Sequence, residues 1–372
     1  MRFALSEEQE SLRETVRGYL RDRFDTTELH RAIEPGATFN SKIWTEMAEQ
    51  LGLHGLAIRE EFGGSGATLL ELSIVMEEMG RVLMVSPYFA SVVLAATTLQ
   101  QSGDQSAQAK WLPEIASGEL IGTLAYAEHA QGGGIASDVA VSAERRGEGW
   151  AITGTKRFVV DGASAGLILV TARTDAGVSV FAVDALGGGI NVEPATVLDP
   201  TRPLATVRFE NVSAELVGAE GEGQAILERT LAIAGVALSA EMVGVAENSL
   251  DMAVEYANSR VQFARPIGSF QAIKHKSADM FIDVETSRTV MLHAAWSQAA
   301  ASADAQTLAA LTLAHVSDAC FRAAAQLLQI LGGIGYTWEH DAHLYFKRAK
   351  TSSQLLGSSY AHREKVARAI GL

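Results

Sequence analysis

The spacing of apolar residues changes twice along the chain. It is helical from the first residues to about residue 120, breaks into short apolar runs separated by Gly and Asp until about residue 220, and then becomes helical again. Apolar residues at every third or fourth position indicate amphipathic helices, and short runs between turn residues indicate strands. The sequence therefore predicts an α+β fold with a helical domain over 1–120, a β domain over 121–220 and a helical domain over 221–372.

The first helical stretch opens with a capping signal. Ser6 is followed three residues later by Gln9, a pairing in which each side chain accepts a hydrogen bond from the other residue's backbone N–H group. Further along, Ile43, Met47 and Leu51 recur at every fourth residue and predict one apolar helix face.

The middle stretch predicts an antiparallel β domain. Its apolar runs are short, and turns such as 147–149, with glycine at both ends, separate them. The predicted strands cover 139–143, 150–153, 158–160, 167–172, 178–183 and 205–209.

The last stretch predicts long helices that pack as a four-helix bundle. The helical period covers 227–259, 270–301, 304–331, 340–349 and 360–369. Gly332 and Gly333 end the third of these helices, since glycine accepts the left-handed backbone that helix ends require.

Charge and cysteine content narrow the class of protein. With 44 acidic against 30 basic side chains, the formal net charge is -14, which excludes a nucleic-acid-binding protein because such proteins need clustered Lys and Arg. No apolar run reaches the roughly 18 residues of a membrane span, and the first residues do not read as a signal peptide. We therefore expect a cytoplasmic protein. A lone Cys320, in an apolar helical pattern, predicts an inert core thiol.

Two motifs in the C-terminal stretch carry groups suited to an anionic, planar ligand. In the segment 260–271, Arg260 offers a planar guanidinium to a pyrophosphate and Phe263 offers a flat apolar surface, with Gln271 at its end. About 70 residues later, the segment 329–335 reads Gln-Ile-Leu-Gly-Gly-Ile-Gly, and its glycines let a ligand approach the backbone closely. A Rossmann site would need a strand, a G-x-G-x-x-G turn and a helix, and the sequence lacks that order.

The domain order and these motifs resemble the acyl-CoA dehydrogenase superfamily over nearly the whole chain. The resemblance implies an FAD cofactor, an acyl-CoA substrate and an oligomer in which both motifs reach the flavin of a neighbouring subunit. It assigns cofactor contacts in the helical domain to Arg260, Phe263, Gln271, Gln329, Ile330, Gly332 and Gly333. It also implies an electron-transfer flavoprotein as the electron acceptor, and a dimer or tetramer that is homo- or hetero-oligomeric.

Two further segments of the β domain match family patterns with departures. Glu128 and Ser137 occupy the place of a loop that holds flavin and substrate in the family. Lys156 begins a segment in which Phe158 replaces a Trp and Val160 replaces the Thr whose hydroxyl would hydrogen-bond the flavin ring. The resemblance thus assigns Ser137, Phe158 and Val160 to the flavin, without that hydroxyl.

The catalytic base of the family is missing from its usual positions. The implied reaction is α,β-dehydrogenation, in which a Glu removes the α proton of an acyl thioester; the two positions that hold this Glu correspond here to Leu356 and Ala234. Either the chain is the non-catalytic subunit of a heteromeric enzyme, like some bacterial steroid-degrading members, or another acid serves. The leading candidate is Glu241, which lies roughly 10 Å beyond Ala234 on the same helix face. The alternative for Glu241 is a buried ion pair with a neighbouring Arg. Glu247 and Asp161 are weaker candidates for the base.

Other interpretations stay open. The chain could be an interaction subunit without flavin, or an acyl-CoA oxidase-like or nitroalkane-oxidising enzyme of the same fold. His340 and His343 flank Asp341, yet the family resemblance accounts for that segment without a metal. Small residues at Ala232, Ala234 and Gly235 suggest room for a bulky, steroid-derived acyl group.

Overall fold

The computed structural model describes residues 5–129 and 139–372. The N-terminal region is helical, as predicted, and Ser6 and Gln9 form the expected capping box at its first helix. Ile43 and Met47 are buried on one helix face, whereas Leu51 lies beyond the end of that helix because the chain turns at Gly52. The helices are α1 (Glu7–Arg23), α2 (Thr26–Ala32), α3 (Ser41–Glu49), α4 (Leu69–Arg81), α5 (Ala96–Ser102) and α6 (Gln105–Ser117).

The strands of the middle region are β1 (Gly122–Ala125), β2 (Ser142–Arg146), β3 (Gly149–Val160), β4 (Leu167–Thr174), β5 (Gly177–Asp184), β6 (Ile190–Pro194) and β7 (Leu204–Val217). They form one sheet in the order β1-β4-β2-β3-β7-β5, with β6 added beside β7. The pairs are antiparallel except where β4 runs parallel to β1 and, at one residue pair, to β2.

The long strand β3 differs from the prediction. The runs 150–153 and 158–160 belong to one strand, because its pairing with β7 continues through register shifts. One shift lies between Lys156 and Val159, and Phe158 within it has a φ of 55°. Such a bulge turns a side chain out of the ordinary alternation. The short strands β1 and β6 were not predicted, since neither shows alternating apolar residues.

The C-terminal region is helical, as predicted, with a short hairpin between its first two helices. The elements are α7 (Gly223–Ser259), β8 (Val261–Gln262), β9 (Arg265–Pro266), α8 (Gln271–Ala299), α9 (Ala305–Leu331), α10 (Ala342–Leu355) and α11 (Ser359–Ala369). By length and composition α7 could cross a membrane, but 78% of its most apolar window is buried inside the protein. Burial of that extent is typical of a core helix.

The chain divides into two compact units. One comprises residues 5–35, Leu69–Met84 and Gly235–Leu372. In it α4 and α7 pack so closely that a Cβ atom at Gly80 would clash with the Glu241 carbonyl, and one at Gly244 with the Glu77 carbonyl. Because glycine has no Cβ, these two positions permit the contact.

The other unit comprises Gly36–Thr68 and Val85–Ala234 and contains the sheet. Its β core is apolar and includes Ile152, Ile168, Val170, Phe181, Val207 and Phe209. The domain boundaries at residues 120 and 220 stay a prediction.

Candidate functional site

The segment 260–271 presents an aromatic side chain at the tip of the β8–β9 hairpin. Phe263 is 87% exposed, and it and Ala264 have φ angles of 53° and 62°. Left-handed backbone is uncommon outside glycine, so two such residues in succession indicate a tightly specified turn. Phe270 packs edge-on against Phe263 with the ring centroids 6.1 Å apart. The turn therefore holds a flat apolar surface toward solvent.

Arg260 stands beside that surface as an exposed cation. Within the part of the chain that the structure describes, its guanidinium has no ion-pair partner, whereas Arg265 stacks on the Phe270 ring at 4.1 Å. Gln271 is exposed as the first residue of α8. A guanidinium left open in this way suits a bidentate contact with a phosphate group.

The second motif forms open backbone at the end of α9. Gly332 has a φ of 66°, and a Cβ atom at Gly332 or Gly333 would meet nothing within 4 Å. The Gln329 side chain donates to the Tyr336 hydroxyl at 3.2 Å. Ile330 is buried, so its side chain packs into the core and only its backbone could face a ligand.

These two segments fit the cofactor that the sequence predicts. An open guanidinium, an exposed ring and glycines that leave room for a ligand are what a pyrophosphate with an attached planar ring requires. Phe158 and Val160 lie in the other compact unit. Ser137 lies outside the described residues, so its role in flavin binding stays a prediction.

The β domain has an exposed aromatic side chain, that of Phe158. Phe158 is 41% exposed, as the bulge in β3 requires, while Val160 is buried and its carbonyl accepts a hydrogen bond from the Thr123 hydroxyl at 2.6 Å. An aromatic surface is thus present. The side chain of Val160 has no hydroxyl to offer a ligand.

Lys156, two residues before Phe158 in β3, forms a buried ion pair with Glu128, which the sequence did not predict. The Lys156 Nζ lies 2.6 Å from the Glu128 carboxylate and also donates to the Tyr126 carbonyl and the Thr171 hydroxyl. Burial lowers the pKa of Lys156 to about 8, against the hydrogen bond and charge of Glu128. The sequence contains one sign that Lys156 is buried. Side chains alternate between the two faces of a strand, and this alternation places Lys156 on the same face of β3 as the buried Ile152.

The two positions to which the family resemblance assigns the base are buried and apolar here. Ala234 is fully buried in α7, and Leu356 is buried just after α10. The Leu356 carbonyl accepts a hydrogen bond from His362 at 3.1 Å. Neither side chain can accept a proton.

Glu241 is held in an ion pair inside the helical unit. Its carboxylate lies 3.1 Å from the Arg348 guanidinium, and the Ser352 hydroxyl donates to the same oxygen at 3.3 Å. Glu241 is 3% exposed and Arg348 is 2% exposed. A carboxylate with these partners is engaged in the core, and this corresponds to the alternative in which Glu241 pairs with an Arg.

The weaker acid candidates are also engaged or buried. Glu247 lies 2.6 Å from Arg81 and 3.1 Å from Arg288. Burial alone would raise the pKa of Glu247, but these two guanidinium groups outweigh it and keep the pKa below its ordinary value. Asp161 is buried at the turn after β3.

Metal and thiol chemistry find no support in the described ranges. No group of three His, Cys, Asp or Glu side chains there could hold a metal ion. The His30 Nε2 atom lies 2.6 Å from the Asp341 carboxylate. Cys320 is buried, and burial raises its pKa, as expected of an inert core thiol.

Comparison with known proteins identifies the family. Models of the N-terminal, middle and C-terminal domains of acyl-CoA dehydrogenases match residues 6–119, 123–212 and 221–371. The chain belongs to the acyl-CoA dehydrogenase family. The three-domain fold and the resemblance predicted from the sequence are thereby confirmed, and the family is one of flavin-dependent oxidoreductases that act on CH–CH bonds.

Individual relatives cover almost all of the chain. Acyl-CoA dehydrogenase IpdE2 of Mycobacterium tuberculosis is 34% identical over 95% of this chain and 94% of its own length. Among solved structures, the ChsE4-ChsE5 complex of Mycobacterium tuberculosis matches with a TM-score of 0.90 at 29% identity, covering 100% of this chain and 99% of the matched one. The Tcur3481-Tcur3483 steroid acyl-CoA dehydrogenase variant matches with a TM-score of 0.89 at 28% identity, covering 98% of both chains.

The expectation of extra room in the substrate pocket is wrong at Gly235. Gly235 does not leave extra room, because a Cβ atom there would lie 2.5 Å from the Cδ1 atom of Leu313 on α9. Leu313 already fills the space that the missing side chain leaves, and Ala234 is fully buried. The absence of a side chain at Gly235 therefore reflects close packing against α9.

Proposed function

We propose that this chain is the base-lacking subunit of a heteromeric acyl-CoA dehydrogenase. In this proposal the assembly catalyses FAD-dependent α,β-dehydrogenation of an acyl-CoA thioester, and a partner subunit of the same family carries the carboxylate that removes the α proton. This chain contributes surfaces that hold the flavin.

The observation that carries the proposal is the absence of an available acid at the two base positions. Leu356 and Ala234 are buried and apolar, and Glu241 is engaged by Arg348. A general base must lie within hydrogen-bond reach of the proton that it removes and must be free to accept it. The two solved heteromeric neighbours support a partner that supplies this group.

The retained groups support a role in cofactor binding. The Arg260 guanidinium would bind the pyrophosphate, the Phe263 ring would cover an apolar face of the cofactor, and the open backbone at Gly332 and Gly333 would accept its adenosine part. A flavin, when bound, supplies the hydride acceptor for the β hydrogen. Those three groups would act on the flavin of a neighbouring subunit. In the other compact unit, Phe158 would line a flavin ring, and without a hydroxyl at Val160 that unit offers one hydrogen bond fewer to the ring nitrogens, which changes the electronics of the flavin.

Further parts of the proposal concern the surroundings of the reaction. We place the assembly in the cytoplasm, with FAD as the flavin and an electron-transfer flavoprotein as the acceptor. A steroid-derived acyl group is the proposed substrate class, on the strength of the steroid enzyme among the neighbours rather than on pocket size. An oxidase would instead pass electrons to oxygen, so rapid oxygen reactivity of the reduced flavin would contradict this acceptor.

Turnover with and without the partner tests the proposal. The chain is purified alone and together with the family member encoded beside it, and ferrocenium reduction is followed with a panel of straight-chain and polycyclic acyl-CoA thioesters. We expect turnover in the assembly and none by the chain alone at equal flavin content. Turnover by the chain alone would show that it has a base of its own and would overturn the proposal.

A further inference from the structure

The Lys156–Glu128 ion pair lies at a junction of the β domain. Glu128 follows β1, Lys156 lies in β3 two residues before Phe158, and Thr171 of β4 accepts a hydrogen bond from the Lys156 Nζ at 3.1 Å. All three Lys156 donors are used, and its side chain is 0% exposed. Because Lys156 has no access to water and three protein partners, its side chain holds β3, β4 and the segment after β1 in one fixed arrangement.

Glu128 also binds the backbone of residues 140 and 141. Its carboxylate accepts hydrogen bonds from the backbone N–H groups of Ala140 at 2.8 Å and Val141 at 3.3 Å. Burial alone would raise the pKa of Glu128, but the hydrogen bond and charge of Lys156, together with the two backbone N–H groups, outweigh it and keep the pKa below its ordinary value. The carboxylate therefore stays ionised and joins residue 128 to residues 140 and 141.

Arg173 of β4 also binds residues 139–141. Its guanidinium donates to the Val139 carbonyl, with the Nε atom at 2.8 Å, and its backbone N–H donates to the Val141 carbonyl at 2.8 Å. The Arg157 backbone N–H donates to the Ala127 carbonyl at 2.8 Å. Residues 127–128 are thus fixed to β3 beside Phe158 in the chain, and residues 139–141 are fixed to β4 and to Glu128.

We propose that Lys156 and Glu128 are positioning residues, whose ion pair fixes the part of β3 that carries Phe158 and thereby strengthens flavin binding. The inference rests on the proposed function, because it assumes that this part of β3 faces the flavin. A buried ion pair is expensive in desolvation, and holding one specific arrangement of the chain is the best-attested reason to keep it.

The test measures FAD affinity in the assembly of this chain with its partner. Glu128→Gln and Lys156→Met are expected to weaken FAD binding about 10-fold. That factor is the lower end of the loss in affinity when the residues that hold the ligands of a bound metal in place are replaced. Lys110→Met is the matched control: Lys110 and Glu215 also lie 2.6 Å apart in the same compact unit, but on the surface, so its removal should leave the affinity unchanged.

A pH profile separates positioning from a general loss of structure. Lys156 faces Glu128, the Tyr126 carbonyl and Thr171, and its cross-strand neighbour on β7 is the apolar Val207. Below pH 8 Lys156 is protonated and the ion pair is present; as the pH rises through about 8 the charge is lost. FAD affinity of the natural chain should therefore fall across that pH, and in Lys156→Met it should not.

The outcomes separate the positioning role from the proposed function. Variants that bind FAD as tightly as the natural chain, or a Lys156→Met profile that still falls near pH 8, would overturn the positioning role alone. A natural assembly that binds no FAD would overturn the proposed function together with this inference. If Lys156→Met does not fold, two other measurements test the positioning role. One is the FAD affinity of Glu128→Gln, which keeps the size of the side chain, and the other is the pH profile of the natural chain.

Discussion

Replacing Arg260 by Met is expected to remove most of the flavin from the purified assembly. Hydrogen bonds to charged groups contribute about 1.5–3 kcal/mol each, so FAD affinity should fall by about 10–100-fold. The exposed Arg260 guanidinium has no ion-pair partner among residues 5–129 and 139–372, and its loss should leave the fold intact. FAD affinity is measured by titrating the apoprotein assembly and following flavin fluorescence.

Arg322→Met is the control for Arg260→Met. Arg322 belongs to the same compact unit and is half-exposed, but its guanidinium is bound to Asp283 at 2.7 Å and lies outside both cofactor motifs. The control removes the same charge and should not change the FAD affinity. Equal affinity in Arg260→Met and the natural assembly would remove Arg260 from the cofactor site.

Replacing Arg348 by Met is expected to destabilise the protein by about 3–5 kcal/mol, because it leaves the buried Glu241 carboxylate without its cation. The change is read from the shift of the urea unfolding transition. Removing both charges in Glu241→Gln/Arg348→Met should recover most of the loss, since no uncompensated charge then stays in the core.

An exposed ion pair provides the comparison for Arg348. Arg368 lies 3.0 Å from Glu364 on α11 with both side chains exposed, and Arg368→Met should change the stability by less than about 1 kcal/mol. A small effect of Arg348→Met, similar to that of the control, would mean that Glu241 is not held by the ion pair. Glu241 would then return as a candidate base.

Helix positions followed closely from the sequence because local signals specify them. The capping box at Ser6 and Gln9 and the end of α9 before Gly332 appear in the structure as predicted. The strand β3 was divided in the prediction because a bulge interrupts its alternation near Phe158. A bulge is decided by pairing with a distant strand, here β7, and a single run of sequence does not record it.

The cofactor motifs were predictable and the contacts behind them were not. Arg260, Phe263 and the glycines lie in short segments whose residue types suggest their chemistry. The partners of Glu241 and Lys156 are separated from them by 107 and 28 residues along the chain. Only the fold shows that Arg348 and Glu128 are those partners, which is why Glu241 could be read from sequence both as a base and as half of an ion pair.

The central claim is that this chain has no base for the α proton, and proton exchange tests it most directly. The flavin-loaded chain is incubated in D₂O with an acyl-CoA thioester, with and without its partner, and deuterium at the α carbon is measured by mass spectrometry. We predict exchange in the assembly and no exchange above background with the chain alone. Exchange by the chain alone, abolished in Glu241→Gln, would contradict the claim and identify Glu241 as the base.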